Sequence, residues 1–372
     1  MAAYLDHAAT TPMRPEAVAA MLPFLTERFG NPSGGHAVAR AARTAIDDAR
    51  ERIASDLGVQ PGEVVFTGSG TEADNLALAG VHGRRGGTVV CTAVEHHAVL
   101  ETCRALGGRV VPVHSDGQVD LDALAHALDP TVTVVSVMLA NNEVGTVQPL
   151  ADVVSLVRER VPDALVHTDA VQAVPWLDVA SLAADADLVA ISAHKFGGPK
   201  GVGALLVRHD AQLAPIIHGG GQERDRRSGT HNVAGIVAMA AALRVTVATR
   251  SDVVMSVGRL RDRLADGLLA AVPGTVETGH RAGKVAGSCH LRFPDVESEE
   301  LLVLLDEAGV YASAGSACAS GAMEPSHVLV AMGLSAGEAG SSVRLSLGAG
   351  STDEDVDLAL EVVPKAVADL RG

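Results

Sequence analysis

The residues with the clearest chemical potential are a lysine and an aspartate that each follow an apolar stretch. Lys195 comes shortly after residues 187–191, which predict a buried strand, and a glycine-rich turn follows it. Asp169 lies at the end of another apolar run. A desolvated lysine can form a Schiff base with an aldehyde, and an acid can keep a pyridine nitrogen protonated. The pair therefore indicates a pyridoxal phosphate (PLP) site, and a surface lysine is the alternative for Lys195 alone.

Two glycine-rich segments could bind an anion. The first, residues 68–72, joins a predicted strand to a predicted helix and contains Gly70 and Thr71. Its small residues let backbone N–H groups approach a phosphate, and a helix N-terminus favours negative charge. The alternative is an ordinary capped turn in which Thr71 and Asp74 serve the helix start. The second segment, residues 218–230, carries arginines and suits either an anion site or a solvated loop.

Polar side chains follow two further apolar strands. An imidazole at His96 could stack on a flat cofactor ring and handle protons, whereas helix capping is the favoured role for His97. The amides of Asn141 and Asn142 could hydrogen-bond a phenolic oxygen or a substrate. A plain turn is the alternative for Asn141.

A cysteine and an arginine near the C-terminus complete the chemical set. Cys318 lies within residues 313–323, which are almost all small, so we expect a mobile loop. A cysteine in such a loop can act as a nucleophile once it is a thiolate, and an incidental small residue is the alternative. Arg344 has apolar neighbours and needs either a substrate carboxylate or an internal ion pair. Structural roles are expected for Cys91, Cys103 and Cys289.

A mostly parallel sheet would bring these residues together. Short apolar runs alternate with amphipathic stretches between about residues 60 and 210, which predicts such a sheet with helices on both faces. Sites in these sheets gather at the carboxyl ends of the strands, so Thr71, Asp169 and Lys195 can share a cleft. The predicted strands are 63–67, 88–92, 109–113, 132–139, 165–168, 187–192 and 203–207. The predicted helices between them are 72–81, 98–106, 121–128 and 150–159.

The remainder of the chain predicts a smaller α+β domain. Two helices, 232–249 and 253–272, precede a looser alternation of strands and helices. We therefore predict a large cofactor-binding domain over residues 15–250. The small domain would comprise residues 1–14 and 251–372 and would carry the cysteine loop.

Composition and charge limit the possible functions. A length of 372 residues suits two domains, and a formal charge of −16 argues against direct binding to nucleic acid or to an anionic membrane surface. The chain starts without a basic and apolar leader pattern, and its four cysteines are scattered, which argues against a disulfide framework or a metal site. These features favour a soluble cytoplasmic enzyme.

Taken in order, these stretches closely resemble the NifS/IscS-like cysteine desulfurases, PLP enzymes of fold type I in the class V aminotransferase superfamily. The resemblance spans nearly the whole chain, and its longer cysteine loop is similar to that of the IscS-type group. The matching motifs lie at residues 4–12, 30–36, 95–96, 141–145, 169–172, 192–195, 227–230, 315–318 and 324–329.

The resemblance implies a role for each matching residue. Lys195 would hold PLP, Asp169 would pair with its pyridine nitrogen, and His96 would stack on its ring. Gln172 and Asn142 would face the ring oxygen. The phosphate would be bound by Gly70, Thr71, Ser192, His194 and, from the second subunit of a homodimer, Thr230.

The same resemblance implies the reaction. Arg344 and Asn142 would hold the carboxylate of L-cysteine, and Cys318 would attack its sulfur. The products would be L-alanine and a persulfide on Cys318, which passes its sulfur to a protein acceptor in iron–sulfur cluster assembly or in thiolation of tRNA or cofactors. The alternatives are a selenocysteine lyase or a C–S lyase on the same fold, and a non-catalytic scaffold, which Lys195 argues against.

Overall fold

The structure, a computed structural model, describes residues 2–208, 211–314 and 325–372. Its strands are β1 (Ala3–Tyr4), β2 (Val64–Thr67), β3 (Thr88–Thr92), β4 (Arg109–Val111), β5 (Val132–Ser136), β6 (Leu165–Asp169), β7 (Leu188–Ser192), β8 (Gly203–Val207), β9 (Val276–Glu277), β10 (Ser288–Arg292), β11 (Val310–Tyr311) and β12 (Ser342–Ser346). Its α-helices are α1 (Pro15–Met21), α2 (Ala37–Leu57), α3 (Gly70–Arg85), α4 (His97–Ala105), α5 (Leu121–Ala127), α6 (Leu150–Arg160), α7 (Val179–Leu182), α8 (Val233–Ala271), α9 (Ser298–Glu307), α10 (His327–Ala331), α11 (Ala336–Gly340) and α12 (Asp353–Arg371).

A seven-stranded sheet with the order β2–β8–β7–β6–β5–β3–β4 forms the centre of the fold. β8 is antiparallel to β2 and β7, and the other neighbouring strands are parallel. The predicted α/β class with a mostly parallel sheet is therefore confirmed. Because β6 and β7 are parallel neighbours, with Asp169 opposite Ala190, their carboxyl ends lie side by side.

The central strands are apolar on both faces because helices cover both sides of the sheet. In β7, Val189 and Ile191 pack into one hydrophobic cluster, whereas Leu188 and Ala190 pack into another. Successive side chains of a strand point to opposite faces, so one continuous apolar run can fill both clusters. This double burial explains why the strands could be recognised from the sequence.

A second core lies around the C-terminal elements. The antiparallel sheet β12–β10–β9 packs with α9, α12 and the C-terminal part of α8. The N-terminus joins this region, since β1 pairs with β11 and Asp6 bridges to Ser346. The first residues of the chain therefore lie beside its last third.

Helix α8 corrects one prediction, because a single helix replaces the two predicted at 232–249 and 253–272. Ser251 and Asp252 are exposed where the helix passes from one core to the other, so these polar residues do not mark a break. The helix is long and apolar enough to cross a membrane, but half of its most apolar window is buried within the protein. Such burial is typical of a core helix.

Helices α1 and α2 precede the first predicted element and pack against α8. The N-cap of helix α2 is His36, whose Nδ1 accepts the N–H of Ala39 at 3.3 Å. Its C-cap is Gly58, whose φ of 64° suits glycine. Its buried residues recur at helical spacing and are Ala39, Ala42, Ile46, Ala49, Ile53, Ala54 and Leu57.

Candidate functional site

The candidate site lies at the carboxyl ends of β6 and β7. Asp169 is the last residue of β6, and its Oδ1 accepts the N–H of Val171 at 2.8 Å. Burial raises the pKa of Asp169 to about 6, and the positive charge of Lys195 opposes this shift. At neutral pH the carboxyl is therefore mostly ionised although it is buried, which suits a partner for a cationic ring nitrogen.

Lys195 is anchored by the N-terminal segment of the chain. Its Nζ donates to the carbonyl oxygens of Ala8 at 2.6 Å and Ala9 at 2.9 Å. Gln172 Nε2 donates to the same Ala8 oxygen at 2.8 Å. One backbone carbonyl thus brings Lys195 and Gln172 together beside the end of β6.

His96 is the N-cap of α4, and its Nδ1 accepts the N–H of Ala98 at 3.1 Å. Burial, assisted by the charge of Lys195, lowers the pKa of His96 to about 4. The imidazole is therefore neutral at pH 7, and the hydrogen bond assigns its proton to Nε2. One nitrogen of His96 and one carboxylate oxygen each of Asp169 and Asp74 lie within 4.8 Å of one another.

The backbone at the start of α3 leaves room for a ligand group to approach it closely. The Ser69 hydroxyl accepts the N–H of Glu72 at 3.1 Å and caps the helix. A Cβ at Gly70 would lie 2.8 Å from Val171 Cγ2 and 3.2 Å from Ser192 Cβ. Gly70 therefore leaves open a small space between the helix N-terminus and the end of β7, as a phosphate site requires.

The alternative interpretation of this turn does not match the observed cap. The alternative of an ordinary capped turn assigned the helix start to Thr71 and Asp74, but Ser69 is the cap and Asp74 is buried. Thr71 is exposed at the second position of the helix.

His194, the remaining predicted phosphate ligand of this subunit, lies after β7. It shares a 3.2 Å hydrogen bond with Thr10, and burial lowers the pKa of its imidazole to about 4.

Arg344 is buried and has an internal ion pair, the alternative that the sequence left open. It donates to Asp6 Oδ1 at 2.7 Å and to the carbonyl oxygen of Asn142 at 2.9 Å. Among the described residues, nothing hydrogen-bonds Arg344 Nε or the buried Asn142 Oδ1. A ligand could therefore still engage one donor and one acceptor here.

The predicted nucleophile Cys318 lies outside the described residues, but both flanks of residues 315–324 are anchored at the site. Ser313 exchanges backbone hydrogen bonds with Arg344 at 2.7 and 3.2 Å. On the other side, Ser326 donates to Glu143 Oε2. His327 is hydrogen-bonded to the Glu95 carbonyl at 2.9 Å.

Thr230, predicted to bind the phosphate of the second subunit, is exposed in the segment before α8. Among the described residues, it is hydrogen-bonded neither to Asp169 nor to His194.

A buried polar network next to the site was not predicted. Asp74 Oδ1 lies 3.5 Å from His167 Nε2, and His167 Nδ1 is hydrogen-bonded to Ser136 Oγ at 2.8 Å. Burial lowers the pKa of His167 to about 3 and raises that of Asp74 well above its usual value. One sequence feature could have revealed this network: Asp74 lies at helical spacing among the apolar residues Ala73, Ala77 and Leu78.

The described residues fit the groups of PLP. Lys195 offers an amine for its aldehyde, Asp169 a buried carboxyl for its ring nitrogen, and His96 an imidazole that can stack on its ring. The open space at Gly70 beside Ser192 fits a phosphate. The whole set lies at neighbouring strand ends and at the helix starts that follow them.

Comparisons with known proteins agree with this arrangement. The family model for aminotransferase class-V matches residues 3–359. An "IscS-like cysteine desulfurase" of Mycobacterium tuberculosis is 46% identical over 99% of this chain and 97% of its own length. A "Cysteine desulfurase IscS" of Methanosarcina thermophila is 43% identical over 100% of this chain and 93% of its own length. A solved structure described as a NifS-like protein has a TM-score of 0.93 and 37% identity, covering 99% of this chain and 100% of that one.

Proposed function

Because the chain belongs to the class V aminotransferase family and is a cysteine desulfurase, we propose that it holds PLP on Lys195 and forms L-alanine from L-cysteine. The second product is a persulfide on Cys318. The observation that carries the proposal is the grouping of Lys195, Asp169 and His96 at the carboxyl ends of the central strands.

PLP, when bound, supplies an electron sink for the α-carbon of the substrate. Asp169 is ionised at neutral pH and stabilises a protonated ring nitrogen. Lys195 is the base for the α-proton, and neutral His96 keeps a proton on Nε2 for transfer. Gly70 and the backbone at the start of α3 hold the phosphate with Thr71, Ser192 and His194.

Sulfur transfer needs a nucleophile and a fixed substrate. Arg344 and the Asn142 amide N–H group hold the substrate carboxylate, and the unpartnered Nε–H of Arg344 supports this role. The Cys318 thiolate attacks the substrate Sγ and forms an S–S bond. The substrate Cβ–Sγ bond breaks, its electron pair stays on carbon, and protonation gives alanine. Support for Cys318 comes from the anchoring of Ser313 and Ser326 at the site.

The proposal includes a division into two domains. Residues 15–250 form the large cofactor-binding domain, and residues 1–14 and 251–372 form the small domain. Its support is that α8 contributes residues up to Leu243 to the core of the central sheet, whereas Val257 and later residues belong to the C-terminal core.

The proposal also includes partners. Sulfur passes from the persulfide to an acceptor protein, such as an iron–sulfur scaffold or a thiolation enzyme, in the cytoplasm. The enzyme is a homodimer in which Thr230 reaches the phosphate of the other subunit, and the exposure of Thr230 supports this role.

Replacing Lys195 tests the cofactor site. We expect Lys195→Ala to lose the visible absorbance of bound PLP and at least about 99% of turnover, because no amine remains to hold the aldehyde and take the α-proton. Lys200→Ala is the matched control, since Lys200 is exposed five residues later and should keep both. Borohydride reduction followed by peptide mapping locates the modified lysine. Labelling of another lysine in Lys195→Ala would contradict the assignment.

Replacing Cys318 tests the sulfur transfer. Cys318→Ser should keep bound PLP and its spectral response to L-cysteine, because neither needs the thiol, but it should release almost no alanine. Cys289→Ser is the control, since Cys289 is buried in the C-terminal core. Alkylation and mass spectrometry during turnover should place the extra sulfur on Cys318. Persulfide on another cysteine, or pyruvate in place of alanine, would refute the proposed reaction.

A further inference from the structure

We propose that a cavity beside Lys195 binds a small organic carboxylate with an apolar tail. The cavity has a volume of about 280 Å³ and lies between residues 7–14, the middle of α8 and residues 346–350. Such a ligand is neither the substrate nor the cofactor of the proposed reaction. The inference therefore adds a second binding site to that function.

The cavity is separate from most of the candidate catalytic site. Only Asn142, Gln172 and Lys195 of the predicted site residues in the described ranges line it. Asp169, His96 and the start of α3 do not contribute to its wall. Lys195 is thus part of the wall between the cavity and the proposed cofactor site.

The charge of the wall favours an anion. Arg14 and Arg250 line the cavity, and no aspartate or glutamate does so among the described residues. The Arg250 side chain is only 13% exposed, and its ion-pair partner Asp178 is 3.7 Å away and 58% exposed. Because this partner is distant and solvated, it neutralises the guanidinium poorly. Arg250 can therefore donate a charge-assisted hydrogen bond to a bound carboxylate.

The wall also carries buried polar atoms that no described residue satisfies. Ser288 Oγ and His7 Nδ1 have no hydrogen-bond partner there, and the Ser288 residue is only 6% exposed. Buried polar atoms are normally paired, so these two atoms indicate a ligand with polar groups.

Part of the cavity wall is apolar. An inorganic anion has no apolar group to cover this surface, so an organic anion fits the cavity better. Trp176, Val253 and Val285 line it together with Met13 and Leu347. A volume of about 280 Å³ is close to the lower bound of roughly 300 Å³ for small-molecule sites. A carboxylate with a short aliphatic or aromatic tail matches both the charge and the apolar surface.

The position of the cavity links it to the reaction. Ala8 lines the cavity, and its carbonyl oxygen accepts hydrogen bonds from Lys195 and Gln172. An occupant that contacts this segment therefore touches residues that hold the catalytic lysine.

Fluorescence of the holoenzyme tests the site directly, because Trp176 is the single tryptophan of the chain and lines the cavity. Titration with hexanoate should give a saturable change in emission. Hexanamide, which has the same tail but no charge, should bind at least about tenfold more weakly, because it loses the charge-assisted bond. No saturable change, or equal affinity for the two probes, would overturn the proposal.

Variants locate the probe. Arg250→Gln should weaken hexanoate binding by about tenfold, whereas Arg244→Gln should leave it unchanged. Arg244 is on the same helix, is 55% exposed, pairs with Asp56 and does not line the cavity. Should Arg250→Gln fold poorly, Gly350→Glu serves instead. A Cβ there meets nothing within 4 Å, so the added charge should repel hexanoate and Gly350→Gln should not.

Competition separates this site from the substrate site. Saturating L-alanine should leave the hexanoate affinity within about twofold. Full competition would assign hexanoate to the substrate site and overturn the proposal. Turnover of L-cysteine by the unliganded enzyme is measured independently, so a failure of this inference is distinguishable from a failure of the proposed function.

Discussion

Three carboxyl groups are buried within or beside the proposed cofactor site. Because their surroundings differ, they are not all ionised at neutral pH. Burial raises the pKa of Asp169 to about 6 and that of Glu95 to about 8. It also raises the pKa of Asp74, and the negative charge of Asp169 raises it further. Asp169 is therefore the carboxyl that is ionised at neutral pH, whereas Glu95 keeps its proton.

A pH-dependent stability follows for Glu95. Its pKa is about 8 in the folded protein and about 4.5 in the unfolded chain, so between these pH values the folded state holds a proton that the unfolded chain has released. The folded wild type loses stability over this window relative to Glu95→Gln. Gln can still accept the bonds from Thr92 and the Met138 N–H.

Urea unfolding measures this effect. Glu95→Gln should match the wild type below about pH 4.5 and exceed it by a few kcal/mol near pH 8, given roughly 1.4 kcal/mol for each unit of pKa difference. Glu101→Gln on α4, with a side chain 57% exposed, is the control. A constant difference at every pH would show that Glu95 does not hold its proton on folding.

The chemical roles of single residues could be predicted where those residues lie at the ends of apolar strands. Asp169 is the last residue of one such strand and Lys195 lies three residues after another, so the sheet itself places them. The partners of Arg344 and Asp74 were not predictable. Asp6 is 338 residues from Arg344, and His167 comes from a strand far from α3 in the chain. Only the tertiary fold decides such pairs.

At the scale of elements, periodicity predicts a helix or strand but not always where it ends. The polar residues 250–252 look like a break, yet α8 continues through them because no glycine or proline interrupts residues 236–257. Helix α2 shows the reverse case. It carries a clear apolar stripe but precedes the β–α alternation by which the other helices of the sheet were recognised.

A proline at residue 251 tests the continuity of α8. Ser251→Pro removes a backbone hydrogen bond in the middle of the helix and should lower the free energy of unfolding by about 3 kcal/mol or more. Ser251→Ala should change it by less than about 0.5 kcal/mol, since the site is exposed. Thermal and urea unfolding measure both variants. Equal stability of the two would favour two separate helices.

At the scale of the molecule, the site needs both ends of the chain. The N-terminal segment pairs β1 with β11, places Asp6 on Arg344 and places Ala8 on Lys195. A deletion of this segment would remove contacts from both the proposed cofactor lysine and the proposed substrate arginine. The N-terminal segment is thus part of the functional site, although it carries none of the proposed catalytic groups.

The site is proposed to need a second copy of the chain as well. Thr230 is exposed here and is assigned to the phosphate of the neighbouring subunit, whereas Lys195 serves its own subunit. Each active site of the dimer would then combine residues of two chains. Thr230→Ala should therefore lower the affinity for PLP without changing the fold, and Lys195→Ala should abolish turnover.

Mixed dimers make this arrangement measurable. In a dimer of one Lys195→Ala and one Thr230→Ala chain, one site lacks both side chains and the other has neither defect. Co-expression with two different tags, followed by tandem purification, should yield heterodimers with about half of wild-type turnover per dimer at limiting PLP, more than either variant alone. If Thr230 acted within its own subunit, each site would carry one defect and turnover would equal the mean of the two homodimers. Sedimentation of the wild type as a monomer at assay concentration would rule out the shared site altogether.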